Sequence, residues 1–337
     1  MPEESPLNDR TVPIELVQAS VAHAARRGID VNQMLADAGV SPMLLGADRS
    51  RVTESQLTRI VQTLWRVTDD ELFGLGRHRL PRGTFRLLCF GLLSAPDLAG
   101  ALDRLEGFAR AIPAMPEFSV VQGPETTRIA MRVEPDLDLE GFLTGIGVGA
   151  LHRFLAWSIG RTIALDRLEL PHPFPPDLTR FAFGIEASKS EEAALSFKST
   201  LLTTPIVRTD AEVESFVAGS PHGLLTRPHD TASVSEQVRR MFELALRSTE
   251  WPGSEQVAKK LVMSPQTLRR KLAEEGSGLR EIREEVLRDA AVSSLVRGEE
   301  SVAALSERLG FSEPSAFTRA FRRWTGSSPA AYRRSVG

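Results

Sequence analysis

The feature that most constrains this chain is a pattern written twice near its C-terminal end, SEQVAKKLVMSPQTLRRKL at 254–272 and SVAALSERLGFSEPSAFTRAFRR at 301–323. Each copy predicts a short helix, a sharp turn and a second, basic helix, which is the helix-turn-helix plan. Where the two helices cross, only a small side chain fits, and the sequence supplies Ala258 and Ser306. Four residues later the chain must turn. Gly310 gives a permissive backbone there, while Val262 takes the same place in the first copy and fits it less well. Ser264 and Ser312 are placed to N-cap the basic helices. Leu268 and Leu272 in one, and Phe317, Phe321 and Trp324 in the other, recur at helical spacing and face the core. Gln266, Thr267, Arg269 and Arg270 then lie on the open side of the first basic helix, and Ser315, Thr318, Arg319 and Arg322 on that of the second.

Between the copies, residues 280–296 carry Ile282, Val286, Leu287, Ala290, Ala291 and Leu295 as one helical stripe. Such a helix spans roughly 25 Å at about 1.5 Å per residue. That reach suits two basic helices set about one DNA turn, near 34 Å, apart on one face of a duplex.

Charge supports the same division. The 337 residues carry a net −3, which on average argues against a nucleic-acid partner. Residues 231–337, however, hold 18 basic and 14 acidic side chains, whereas the first 230 hold 23 and 30. An acidic part at −7 is joined to a basic part at +4. Residues 265–272 and 314–323 each bring three positive charges and no acid, the kind of stripe that lies against phosphates.

The length predicts two domains and at most three. One cysteine, Cys89, and six scattered histidines offer no disulfide and no zinc spacing, so no metal or cofactor is expected and a reduced cytoplasm is. The N-terminus MPEESPLNDR lacks the apolar core of a secretory signal. The apolar stretch 141–160 is interrupted by His152 and Arg153, so it predicts a buried helix rather than a membrane span.

Residues 16–38, 54–68, 84–93, 96–111 and 139–163 have helical periodicity, with Thr53 as an N-cap. A hairpin is expected around Gly123 and Pro124, and further strands near 165–170, 195–198 and 205–207. Gly145, Gly147 and Gly149 imitate part of a dinucleotide fingerprint but sit inside a helix, where Gly141, Gly145 and Gly149 are better explained by tight helix packing. The turn-rich AGSPHGLLTRPHDTAS at 218–233 is the expected linker. The expected architecture is an α+β N-terminal sensor or dimerisation domain, residues 1–217, followed by an all-α domain, residues 234–337, with two helix-turn-helix units joined by a linker helix.

Through LGFSEPSAFTRAFRRWTGSSPAAYR at 309–333, SEQVAKKLVMSPQTLRRKL at 254–272 and REEVLRDAA at 283–291, the chain resembles the arabinose-regulator (AraC/XylS) family of bacterial transcription factors. The resemblance implies that Gln266, Arg269 and Arg270 in the first unit, and Pro314, Ser315, Thr318 and Arg319 in the second, stand where bases are touched. Pro314 has no side-chain donor, which shifts its part to Ser315 and Thr318. An arginine suits guanine and Gln266 suits adenine, each worth about 1–3 kcal/mol of discrimination. Lys259, Lys260, Lys271, Arg322 and Arg323 are the expected phosphate contacts. HAARRGIDVNQMLADAGV at 23–40 and LLSAPDLAGAL at 92–102 are similar to the N-terminal part of the family's ornithine-regulator-like group. Relatives of this type respond to ornithine-like amino acids, other small metabolites or lipid-related signals.

The expected function is sequence-specific binding of double-stranded promoter DNA, with activation through RNA polymerase, a small-molecule effector, and a homodimer. His152, Arg153 and Trp157 are the candidates for an effector pocket. Two other readings stay open: an N-terminal oligomerisation module without a ligand, and a metabolite-processing enzyme fused to a DNA reader. Residues 1–220 contain no GxSxG, HExxH or phosphate loop, and Cys89 sits in an apolar run that suits burial more than nucleophilic chemistry.

Overall fold

The computed structural model describes residues 10–336 apart from 48, 74–77, 134–137, 139–140, 173, 175, 219–232, 247–250 and 299. The expected linker therefore lies, except for its two end residues, outside the described residues. Packing divides the chain into two compact units that do not follow sequence order. One gathers Met1–Gln18, Asp30–Ile60 and Thr231–Gly337, the other Ala19–Ile29 and Val61–Asp230.

The stretch 16–38 divides into α1 (Glu15–Arg26) and α2 (Val31–Ala38), because Asp30 breaks the run and caps the second helix by accepting from the Gln33 N–H at 3.0 Å. Strand β1 (Thr11–Pro13) pairs antiparallel with β2 (Arg51–Thr53), which leads directly into α3 (Glu54–Thr68). Thr53 caps that helix as expected. Its hydroxyl accepts from the Gln56 N–H at 3.2 Å while the Gln56 side chain accepts from the Thr53 N–H at 2.9 Å, a reciprocal capping box.

The second unit is built on a five-stranded sheet. Helices α4 (Thr84–Leu93) and α5 (Leu98–Ala111) precede the hairpin of β3 (Glu117–Gln122) and β4 (Thr126–Arg132). Then follow α6 (Phe142–Ile159), β5 (Leu165–Leu170), α7 (Pro176–Phe183), β6 (Ser188–Lys189), β7 (Ala193–Lys198) and α8 (Asp210–Ala218). The order across the sheet is β3-β4-β7-β5-β6, antiparallel except for β5 beside β6. The expected strand at 205–207 does not form. Pro205 makes a single bridge to Asp97, and without a ladder partner the segment stays irregular. Helix α6 is buried and apolar, and its core contacts run from Val148 through Leu155 and Ile159 to Leu168, Leu195 and Phe197. Its glycines do permit close packing, but against side chains rather than a second helix. A methyl at Gly145 would stand 3.0 Å from the Phe174 ring, and one at Gly147 would stand 3.1 Å from Met131.

The first unit holds α9 (Val234–Ala245), α10 (Ser254–Lys260), α11 (Pro265–Glu274), α12 (Leu279–Arg297), α13 (Val302–Arg308), α14 (Pro314–Thr325) and α15 (Pro329–Val336), and α9, α13, α14 and α15 pack on the long α12, the expected linker helix. The strand pair β1–β2 packs on α12 as well. The contact is polar and buried. The Thr11 hydroxyl donates to Asp289 Oδ1 at 2.6 Å, Arg51 Nε donates to that hydroxyl at 2.7 Å, and Tyr332 donates to the Arg51 carbonyl. Arg239 and Arg288 reach the same carboxylate at 3.4 Å each. Burial alone would raise the Asp289 pKa, but Arg288, Arg239, Arg51 and the Thr11 hydroxyl outweigh it and hold the group below its ordinary value. Arg51 pays the complementary cost. Burial, with Arg288 beside it, brings its pKa down to about 9 against the opposing pull of Asp289.

Removing one partner of such a network leaves buried charge uncompensated. Asp289→Ala is expected to lower the free energy of unfolding by about 3–5 kcal/mol, measured by urea denaturation of the full chain. A loss below about 1 kcal/mol would show that the three arginines are satisfied without it.

Candidate nucleic-acid interface and ligand cavity

Each helix-turn-helix unit forms from the residues that predict it. Ala258 and Ser306 are buried at the crossings of α10 with α11 and α13 with α14. The two turns share one hydrogen-bond pattern: Val262 N–H to Lys259 O and Met263 N–H to Ala258 O in the first, Gly310 N–H to Glu307 O and Phe311 N–H to Ser306 O in the second. That pattern requires a left-handed residue at the corner. Gly310 has φ 79° and Val262 has φ 55°, so the β-branched residue is strained where glycine is relaxed. Space is not the reason at Gly310, since a methyl there would meet the Trp251 indole at 3.4 Å, an ordinary contact.

The helix starts differ from expectation in one copy. Ser264 caps α11, accepting from the Thr267 N–H at 3.1 Å. Ser312 does not cap α14. Proline takes the first helical position in both helices, as Pro265 and Pro314, and the extra residue Glu313 separates Ser312 from Pro314. Glu313 therefore stands at the N-cap, where its side chain makes no capping bond and instead accepts from the Ser315 hydroxyl at 3.2 Å.

Leu268, Leu272, Phe317 and Phe321 are buried and Trp324 is half-buried. The faces left over carry the predicted contacts. Gln266, Arg269, Arg270, Ser315, Arg319, Arg322 and Arg323 are exposed, as are Lys259, Lys260 and Lys271, while Thr267 and Thr318 are half-buried. Arg270 pairs with Glu274 at 3.0 Å and Arg323 with Glu284 at 3.2 Å. Arg269, Arg319 and Arg322 have no ion pair among the described residues. The Thr318 hydroxyl donates to the Pro314 carbonyl at 2.9 Å and keeps its lone pairs outward. Exposed surface pairs of this kind contribute little to stability, so breaking them for a phosphate is cheap.

The second unit holds a cavity of about 190 Å³. Its walls come from Trp65 and the segment Glu71–Phe73, from Phe85, Leu88, Cys89 and Leu92 of α4, from Phe118 and Met131 of the sheet, and from Ile146, Gly147, Ala150, Leu151 and Phe154 of α6. His152, Arg153 and Trp157, the residues of α6 expected to line an effector pocket, are not among the residues lining this cavity. His152 and Arg153 are buried in packing, with His152 Nε2 donating to the Ile163 carbonyl at 2.8 Å. Trp157 stacks on Phe216 with ring centroids 4.3 Å apart, under the guanidinium of Arg208. The cavity-lining residues escaped sequence reasoning because they are drawn from separate elements, each with an ordinary core pattern. Cys89 is buried, as its apolar run suggests, and burial with Glu71 nearby pushes its thiol up to about 12. Among the described residues no group of three or more His, Cys, Asp or Glu side chains can hold a metal, and no helix is long and apolar enough to cross a membrane.

The description "Arabinose-binding domain of AraC transcription regulator, N-term" matches residues 28–206, more than half of the chain, and a helix-turn-helix domain family matches residues 257–335. The chain belongs to the AraC family of transcription regulators. Within that family it is similar to the Ornithine utilization regulator of Pseudomonas aeruginosa, 23% identical over 98% of this chain and 99% of that protein. It is also similar to the HTH-type transcriptional regulator VqsM of the same organism, 38% identical over 29% of this chain and 31% of the relative. A solved transcriptional regulator, CdpR from Pseudomonas aeruginosa, is 21% identical over 94% of this chain and 97% of its own, at a TM-score of 0.31. Family membership and the order of elements along the chain agree with the fold class expected from the residues: an α+β N-terminal part and a helical C-terminal part.

Two outcomes follow from the local geometry. Val262 is 93% exposed, so Val262→Gly loses almost no packing and relieves the left-handed strain; it is expected to stabilise the chain by about 1 kcal/mol in urea denaturation, whereas Gly310→Val should destabilise it. Burial depresses the His152 pKa to about 4, against the Ile163 carbonyl and aided by Arg153. The unfolded chain, near 6.5, takes up the proton first. The stability contributed by neutral His152 is thus intact above pH 6.5 and lost as pH falls toward 4, by up to about 3 kcal/mol, and His152→Gln should flatten that part of the stability profile.

Proposed function

We propose that this AraC-family chain is a sequence-specific, DNA-binding transcription activator controlled by a small-molecule effector. The observation that carries the reading is the pair of recognition helices, each set on its own core with unpaired arginines on the open side, Arg269 on α11 and Arg319 and Arg322 on α14. Residues 234–337 form the DNA-binding domain, 218–233 the linker and 1–217 the effector-binding and oligomerisation domain. Gln266, Arg269, Arg270, Ser315, Thr318 and Arg319 contact bases; Lys259, Lys260, Lys271, Arg322 and Arg323 contact phosphates. Glu313, missed as a helix cap, sits at the reading end of α14 and repels phosphate there, which favours seating that helix by base edges and by Arg319.

The acidic N-terminal part supports effector binding rather than DNA contact, and its relative's name, an ornithine utilization regulator, supports a metabolite as the signal. The chain works as a homodimer in the cytoplasm and activates through RNA polymerase. The reading assigns the chain no catalysis, and burial beside Glu71, which pushes the one thiol up to about 12, makes that group a poor nucleophile.

The test is binding of the full chain to a fragment of its own upstream region, followed by fluorescence anisotropy over competitor DNA. Saturable binding with affinity falling steeply with salt is expected. Arg319→Ala should cost about 1–3 kcal/mol and relax specificity at one base pair, whereas Lys259→Ala should weaken all sequences alike and reduce the salt slope by about one. Absence of specific binding at low salt would overturn the reading.

A further inference from the structure

The cavity of the second unit is unusual for a domain named after a sugar. Among its described lining residues the ionisable groups are Glu71 and Cys89, and none is Lys, Arg, His, Asn, Gln, Ser or Thr. Glu71 is already committed. One carboxylate oxygen accepts from the Gly83 N–H and the other from the Phe85 N–H, both at 2.6 Å, which closes the N-terminus of α4. The Cys89 sulfur is a weak donor and acceptor at best. A pentose or an amino acid bound here would leave several hydroxyl, ammonium or carboxylate groups without side-chain partners among the described lining residues, which disfavours it.

The walls instead suit apolar contact. Trp65 and Phe73 stack with centroids 5.9 Å apart and an interplanar angle of 4°, and Trp65 is fixed by its indole N–H donating to the Glu71 carbonyl at 3.2 Å. Met115 and Met131 supply adaptable thioethers. Gly147 and Ala150 keep α6 from filling the space, as a methyl on Gly147 would already press on Met131. An apolar cavity of about 150 Å³ holds benzene, so about 190 Å³ holds a single substituted ring or a short alkyl chain.

We infer that the effector of this regulator is a compact, uncharged, apolar molecule, of the size of a substituted benzene or a short alkyl chain, bound between α4, α6 and the Trp65–Phe73 wall. The inference rests on the reading of the N-terminal part as an effector domain and names the chemistry of its ligand.

The experiment uses the full chain labelled at the methionine methyls and titrated in NMR with p-xylene, 1-octanol, octanoate, octylammonium, L-ornithine and L-arabinose, alongside thermal shifts. p-Xylene and 1-octanol are expected to raise the melting temperature saturably and to move the Met115 and Met131 methyl resonances, assigned through Met131→Leu. Octanoate and octylammonium, with the same chain length but a charged head, should bind at least tenfold more weakly than 1-octanol, and ornithine and arabinose should leave both methyls unmoved. Ala150→Phe, which fills the cavity, should abolish the p-xylene response, and the methyl shifts of the wild-type chain decide the matter if that variant does not fold. Movement of these methyls by ornithine, arabinose or octanoate but not by p-xylene overturns the inference, as does p-xylene binding that leaves them in place. DNA binding of the same preparation is measured in parallel. Specific DNA binding by a preparation that neither p-xylene nor 1-octanol binds overturns the inference alone, and binding of these apolar probes by a preparation that shows no specific DNA binding overturns the regulator reading alone.

Discussion

The carboxylate of Asp289 is the constraint on which its unit depends. It lies buried midway along α12, and moving a lone anion to such a place costs several kcal/mol. Arg239 and Arg288 come from the helical part of the sequence, while the Thr11 hydroxyl, held in turn by Arg51, comes from a strand pair nearly the whole chain length away. Because each partner satisfies another, α12 has one position relative to β1 and β2 in which no charge is stranded. Helices α9, α13, α14 and α15 pack on α12, so the second helix-turn-helix unit inherits that position.

The two units solve one problem with opposite compromises. The first has a proper serine cap at the start of its recognition helix and a strained valine at its turn. The second has a relaxed glycine at the turn and a glutamate that does not cap the helix start. In both, the hydrophobic residues on the inner face fix the helix without help from its outer face, which leaves arginines available to a ligand. A basic helix that needed its arginines for internal ion pairs would have to break them before meeting phosphate; here, among the described residues, only Arg270 and Arg323 of the two basic helices are so engaged, and both arginines are exposed.

The cavity follows a different logic. Helix α6 is apolar around its circumference, yet small residues at 147 and 150 prevent it from closing against α4 and the sheet. Close packing would normally remove such a void, because each lost contact weakens the core. The cavity persists beside a tryptophan anchored by its indole N–H, with the one nearby carboxylate turned to capping a helix, and on these observations the proposed effector site rests.

The sequence alone determined the helix-turn-helix pair, the linker helix, the hairpin around Gly123 and the capping of α3 by Thr53, because each rests on residues within a few turns of one another. It also placed the exposed arginines, since burying Leu268, Leu272, Phe317 and Phe321 forces Arg269 and Arg319 outward by helical geometry. It misplaced the cap of α14 by one residue, where Pro314 rather than Ser312 set the register, and it expected a strand at 205–207 that has local pattern but no ladder partner. Tertiary structure alone decided which face of α6 meets the cavity, because an apolar helix with no polar side has no periodicity to declare its orientation. It alone also decided that Thr11 and Arg51 meet Asp289. Hydrogen bonds between residues 278 positions apart leave no trace in local sequence, and only the folded chain brings them within 3 Å.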